Sequence, residues 1–297
     1  MIEPRRTPHK RRSLRNAGLW LLAVAVTLLC LAHQDKTGPT YPLEGVIQTA
    51  RGSVAYKVPR SETIGRGLAV VLRDPVPAGV TGSVAYRRHK SDDQRTELPM
   101  EQGEFEFSRR GRRETIRGLG VVLPGLGERA GKYEFSVRVD DGSGAKSVTG
   151  ERPIIARYKG AVPIAVLCAH ITMVFVSMAL AIRTTLEALV NGRYRWMVWA
   201  TIGSLLAGGF VLGPLVQWYA FGVWWSGVPF GFDWTDNKVL VELAFWLVAL
   251  WANRGSHRDR GSVFLAGVAT LLVYFIPHSI FGSEFDYRTG TGRGTTG

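Results

Sequence analysis

Ala161–Ile182 reads AVPIAVLCAHITMVFVSMALAI, twenty-two consecutive positions without an Asp, Glu, Lys or Arg. A helix rises 1.5 Å per residue and the hydrocarbon of a bilayer is about 30 Å thick, so a run of this length is long enough to cross it. Comparable apolar runs follow at Trp196–Trp218, Val239–Trp251 and Ser262–Phe281, each separated from the last by a short polar turn. Residues 159–281 therefore read as a membrane module of four helices. The Val239–Trp251 run is short unless its helix begins near Thr235, with Thr235 or Asp236 as the cap.

Upstream, Met1–Arg15 carries Arg5, Arg6, Lys10, Arg11, Arg12 and Arg15 against one acid, Glu3, and an uncharged run from Ala17 to Ala32 follows. This is the pattern of a basic cytoplasmic N-terminus (1–15) ahead of a signal peptide or an uncleaved anchor, and the anchor, a transmembrane helix over 16–33, is the reading taken. Positive charge marks the cytoplasmic ends of spans. Arg183, Arg193 and Arg195 follow the second apolar run, and Arg254, Arg258 and Arg260 follow the fourth, whereas 221–237 holds only the acids Asp233 and Asp236. The alternation predicts five transmembrane helices with the N-terminus inside and the C-terminus outside, in a bacterial inner membrane. The same placement accounts for the net charge of +13 without nucleic acid as a partner.

Between the first two spans, residues 34–158 change character. Short stretches with apolar or β-branched residues at alternate positions, such as Ser53–Val58, Gly82–Arg88 and Tyr133–Asp140, are broken by Asp74-Pro75, Pro124-Gly125 and Asp141-Gly142. Period-two patterning between turn signals predicts strands. About eight of them in this length predict an extracytoplasmic immunoglobulin-like β-sandwich. Cys30 and Cys168 both fall in apolar runs, so the domain has no disulfide framework. Arg109, Arg110, Arg112 and Arg113 cluster around Gly111 in an expected hairpin loop, with Glu101, Glu104, Glu106 and Glu114 near enough to balance them. The Gly- and Thr-rich residues 282–297 read as a disordered extracytoplasmic tail.

The chemistry-bearing candidates lie in the membrane module. Phe221–Lys238, FGVWWSGVPFGFDWTDNK, concentrates Trp224, Trp225 and Trp234 with Asp233, Asp236 and Lys238. Tryptophan prefers the membrane interface, so 219–237 reads as an aromatic interfacial hairpin contacting lipid, or covering a quinone or lipid between helices. Ionisable residues inside a span are candidate functional groups. His170, near the middle of its span, and His278, near the outer end of the last, are candidate cofactor contacts, but their depths differ by about 9 Å, which disfavours one haem between them. Glu242 is a third candidate; a pair with Lys238 one turn earlier, like Glu187 with Arg183, is its simplest role. Gly209 and Gly213 form a G-x-x-x-G step suited to close helix packing, and Pro214 is expected to kink or end that helix. No hydrolase, nucleotide-binding or paired-cysteine motif occurs, and no metal site is expected.

Gly82–Arg88 with Leu98-Pro-Met100, Ala130–Glu134, Pro153–Pro163, Ala169-His170, Arg183–Glu187, Gly213–Lys238 and Pro277–Ser279 together resemble a family of uncharacterised bacterial inner-membrane proteins. The resemblance spans most of 45–287. It implies an exported β-sandwich joined to a four-helix membrane module; it implies no activity and carries over no site residue. The function expected is that of a non-enzymatic accessory or interaction subunit with a protein partner in the membrane or periplasm. The alternative is a redox protein, with haem or quinone, or a lipid-handling one; no cofactor is favoured.

Overall fold

A computed structural model of the chain describes residues 8–109, 112–277 and 282–293. They divide into two compact units: a helical one from the described parts of Met1–Gly38, Val162–Trp218 and Gly227–Phe281, and a β unit from Pro39–Ala161, Tyr219–Ser226 and Gly282–Gly297. Only part of the expected 219–237 hairpin travels with the helices. Its first residues, through Ser226, belong to the β unit.

In the helical unit, α1 (Pro8–Thr37) extends beyond the expected 16–33 at both ends, and α2 covers Ile164–Leu189, starting directly after Pro163. Next come α3 (Arg195–Leu205), a π-helical segment (Leu206–Leu212) and α4 (Gly213–Phe221), which run on as one rod over Arg195–Phe221. Pro214 does not end that rod. The π turn lengthens the hydrogen-bond step just before it, so that Gly213 N donates to Gly208 O five residues back. The last pair is α5 (Trp234–Ala252) and α6 (Arg260–Phe275).

The five-helix membrane expectation is corrected here. Among the described residues three helices, Arg12–Thr37, Ile164–Leu189 and Arg195–Phe221, are long and apolar enough to cross a membrane. α5 is not among them, and it places Asp236, Lys238 and Glu242 within seven residues of one another. α6 has 16 residues and covers only about 24 Å. Exposed apolar side chains such as Leu21 and Leu29 on α1 and Ile164 on α2 suit the surface of membrane-crossing helices.

The β unit holds two main sheets. One orders β1 (Leu43–Thr49), β2 (Gly52–Val58), β4 (Leu68–Arg73), β8 (Arg112–Leu123) and β7 (Glu101–Arg109), every pair antiparallel. The other orders β3 (Ser61–Thr63), β11 (Ile154–Lys159), β9 (Lys132–Asp140), β5 (Thr81–Arg88) and β6 (Thr96–Pro99), with β10 (Ala145–Ser147) beside β9. β3 and β11 pair in parallel, Arg157 opposite Ser61. This mixed six-stranded sheet departs from the immunoglobulin pattern of two antiparallel sheets, so the immunoglobulin-like sandwich expectation does not stand. Short β3 lacks the alternation that flags a strand, and nothing local announces a parallel partner ninety-six residues away.

Val54, Leu68, Val70 and Leu72 from the first sheet share one buried cluster with Val84, Phe135, Val137 and Tyr158 from the second. Ala69 and Val71 point to the other face of β4, into a smaller cluster with Phe107 and Ile116. β4 is therefore covered on both sides, which explains its uninterrupted LAVVL, where a half-buried strand would alternate. The β7–β8 ladder runs out to Arg109 opposite Arg112, while residues 110–111 and the side chains of Arg109 and Arg112 lie outside the described residues. Glu114 meets Lys57 at 2.5 Å and Arg73 at 3.6 Å. The expected disordered tail carries a hairpin of β12 (Glu284–Asp286) and β13 (Thr291–Arg293).

Candidate functional site

Lys238, Glu242 and Trp246 recur every four residues and so line one face of α5. Glu242, 1 % exposed, accepts a hydrogen bond from Thr270 Oγ1 on α6 at 3.0 Å, and Thr270 accepts one from Trp246 Nε1 at 3.0 Å. One threonine hydroxyl thus serves an indole on one side and a carboxylate on the other. Lys238 Nζ donates to Ile276 O at 3.1 Å, the carbonyl at the C-terminal cap of α6. A helix end leaves such carbonyls without internal donors and favours a cation there. The expected Lys238–Glu242 pair is accordingly not formed as an ion pair among the described residues. Arg183 and Glu187 do pair, at 2.7 Å.

His170 on α2 lies against the π-helical segment, its Nδ1 3.0 Å from Gly208 O. A carbonyl only accepts, so Nδ1 carries the proton and the Nε2 lone pair is left facing away from that bond. Gly208 permits the approach: a methyl group there would come within 3.0 Å of Val174 N and 3.1 Å of Met173. Of the two glycines expected to pack helices, Gly209 does so, since a Cβ would meet Val239 Cγ1 at 2.6 Å, whereas Gly213 has only ordinary contacts at 3.4 Å and beyond. Gly267 on α6, not expected, is tighter than either against Thr185. Among the described residues His170 and Glu242 have different partners, Gly208 and Thr270, and His278 lies outside the described residues. His33 contacts Phe275 O through Nε2 at 3.3 Å.

In the loop before α5, Asp233 supplies the N-cap, accepting from Thr235 N at 2.8 Å; neither Thr235 nor Asp236 takes that role. Asp236 accepts instead from Gly227 N at 3.1 Å, and Asn237 Oδ1 accepts from Val228 N at 2.7 Å. These side chains hold the 227–233 loop closed, while Phe230, Phe232 and Trp234 stand exposed. Trp224, also exposed, and the half-buried Trp225 belong to the β unit, so the three tryptophans do not form one hairpin within a single unit.

A charged cluster in the β unit was not anticipated. His89 follows β5, with Nδ1 2.9 Å from Glu134 Oε2 on β9 and Nε2 3.4 Å from Glu284 Oε1 on β12. Glu284 also meets Lys90 Nζ at 2.9 Å and Lys132 Nζ at 3.3 Å, and Glu134 is bonded by Arg87. Burial alone would raise both carboxyls, but Glu134 is held below its ordinary value by hydrogen bonds from His89 and Arg87, and Glu284 by the charge of Lys132 and the Lys90 bond. Burial pushes Lys132 down to about 8, with Arg157 adding to the effect. The run Arg87-Arg-His-Lys90 was visible in the sequence; the acidic partners of Arg87, His89 and Lys90, 45 to 195 positions further on, were not.

Among the described residues no three of His, Cys, Asp and Glu converge as a metal site would require. Comparison with protein-family models, curated proteins and solved structures returns no match to the chain.

Proposed function

We propose that the chain is a non-enzymatic membrane protein of the bacterial inner membrane, whose β unit stands outside the cytoplasm and binds a protein partner while the helical unit holds it to the bilayer. One observation carries this reading: the charged side chains of α5 and the loop before it, the groups besides His170 that would have to reach a substrate, are engaged internally. Glu242 is bonded to Thr270, Lys238 caps α6, Asp233 caps α5 and Asp236 closes the preceding loop. The basic N-terminus favours a cytoplasmic start and an exported β unit. On the β unit, β1 is an edge strand with Val46 58 % exposed, and an open edge is where another chain adds a strand. The test is affinity purification of the full chain from its native membrane in mild detergent. A partner should be recovered in stoichiometric amount and be lost on Val46→Glu; a chain that always purifies alone overturns the reading.

A second reading, a redox or lipid-handling protein, is favoured by His170, whose anchored Nδ1 leaves Nε2 available beside a π turn. Under it the purified protein shows a reduced-minus-oxidised absorption band, or retains a quinone, that His170→Ala removes; an unchanged spectrum and no bound quinone in the wild type sink it.

A further inference from the structure

Eight arginines gather at one end of the helical unit. Arg12 and Arg15 lie near the start of α1, Arg183 is near the end of α2, Arg193 and Arg195 lie at the α2–α3 turn, and Arg254, Arg258 and Arg260 at the α5–α6 turn. Contacts inside the unit bring these segments together. Arg183 Nη2 donates to Asn16 Oδ1 at 2.6 Å, the same guanidinium lies 5.5 Å from the Trp20 ring, and Tyr194 OH donates to Asn253 Oδ1 at 3.0 Å.

Seven of the eight are exposed; only Arg183 is buried. Two acids are described at this end, and both are engaged within the unit. Glu187 pairs with Arg183 and accepts from Arg193 N at 3.1 Å, and Asp259 caps α6 by accepting from Gly261 N and Ser262 N. Among the described residues none of the seven exposed arginines has an ion-pair partner, so a surplus of positive charge faces outward.

Two further features say what would meet it. Trp196, Trp199 and Trp251 lie within a turn or so of the arginines and are each more than 60 % exposed, as rings at the headgroup level of a bilayer are. Apart from Lys10 near the start of α1, the cations of this end are arginines. Lysine would serve equally well as a point charge, but the planar guanidinium offers paired N–H donors that match two oxygens of one phosphate.

We propose that this end of the helical unit binds the phosphate groups of anionic phospholipids, with Arg193, Arg195, Arg254 and Arg258 as direct ligands. The proposal rests on the membrane reading above. It goes beyond orientation by charge, because it requires retention of particular lipids.

The test is native mass spectrometry of the full chain in mild detergent, mixed with equal amounts of phosphatidylglycerol and phosphatidylcholine bearing the same acyl chains. The wild type should retain phosphatidylglycerol over phosphatidylcholine by about tenfold or more, since each arginine near an anionic surface contributes about fivefold. The combined variant Arg193→Gln/Arg195→Gln/Arg254→Gln/Arg258→Gln should lose that preference and still hold phosphatidylcholine as the wild type does, which shows that it is folded. The corresponding Lys variant should keep part of the preference. Inorganic phosphate at the same concentration should not displace the lipid. Equal retention of the two lipids by the wild type, a preference unchanged by the Gln variant, or displacement by free phosphate overturns the proposal. Retention of neither lipid would overturn the membrane reading as well.

Discussion

Lys132 Nζ lies 3.3 Å from Glu284 Oε1, and both side chains are about nine-tenths buried. The contact joins β9 to β12 and brings the C-terminal hairpin into the β unit. Phe285 N donating to Ala130 O at 3.1 Å and Arg88 stacked 4.8 Å from the Tyr287 ring act in the same place. A buried ammonium is tolerated because a carboxylate faces it, and removing one partner of such a pair leaves the other charge uncompensated.

Glu284→Gln should therefore cost about 2–4 kcal/mol of stability. Arg288→Gln, which breaks the exposed pair with Asp92 at 3.1 Å, should cost less than about 1 kcal/mol. Denaturant unfolding of the full chain followed by its strand signal measures both. Equal costs would show that Glu284 holds nothing the surface pair does not.

The pH dependence of this pair has a definite sign. Burial, with the charge of Arg157 added, lowers Lys132 to about 8 against the partial support of Glu284. An unfolded lysine titrates near 10.4. Between about 8 and 10.4 the unfolded chain still holds a proton that the folded chain has released, so this group makes stability rise with pH in that window, by about 1 kcal/mol per unit at most. Below about 8 the full cost of burying the charge is present. Comparing unfolding midpoints of wild type and Lys132→Met from pH 7.5 to 10 isolates the term: the wild type should gain on the variant as pH rises. Parallel curves would place the lysine's titration outside the window.

How much of this was legible beforehand follows from the range of the interactions. Apolar runs and charge placement are local, so the Ala161–Ile182 and Trp196–Trp218 stretches that become α2 and the Arg195–Phe221 rod, and the Arg183–Glu187 pair, could be read directly. The Val239–Trp251 run has the apolarity of a span, but α5, which begins at Trp234, carries Asp236, Lys238 and Glu242 as well and is not apolar enough to be one. The parallel β3–β11 pairing, Thr270 as the link between Glu242 and Trp246, and the partners of His89 depend on contacts between distant positions. Periodicity carries no information about those.

Thr270→Val removes a hydroxyl of nearly the same shape and strands two buried groups, the Trp246 indole N–H and Glu242 Oε1, each bonded to it at 3.0 Å. Leaving buried polar groups unpaired costs about 1–3 kcal/mol each. Thr270→Val should destabilise the helical unit in detergent by at least about 2 kcal/mol, and Thr270→Ser should restore most of it. A valine variant as stable as wild type would mean that water or another group already satisfies the pair.

α6 packs on α2 at Gly267, outside the G-x-x-x-G step, with no room for a side chain. A Cβ on Gly267 would meet Thr185 Oγ1 at 2.0 Å, and Thr185 is held in place by donating to Ala181 O at 2.9 Å. The obstruction cannot swing aside without losing that bond, so α6 must move away from α2. Overpacking of this kind costs about 1–3 kcal/mol. At Gly213 the nearest atoms to an added Cβ are 3.4 and 3.7 Å away and the backbone is helical, with φ −57. Gly213 is followed by Pro214, however, and a Cβ on a helical residue directly before proline meets the proline ring, so glycine suits this position for a local reason and not for helix packing. Thermal unfolding in detergent should thus fall for Gly267→Ala. The double variant Gly267→Ala/Thr185→Ala should recover most of the loss, because the methyl then enters the space that the threonine side chain vacated and the two changes cease to be additive. Additive losses would mean that the α2–α6 contact at Gly267 is not what limits the packing.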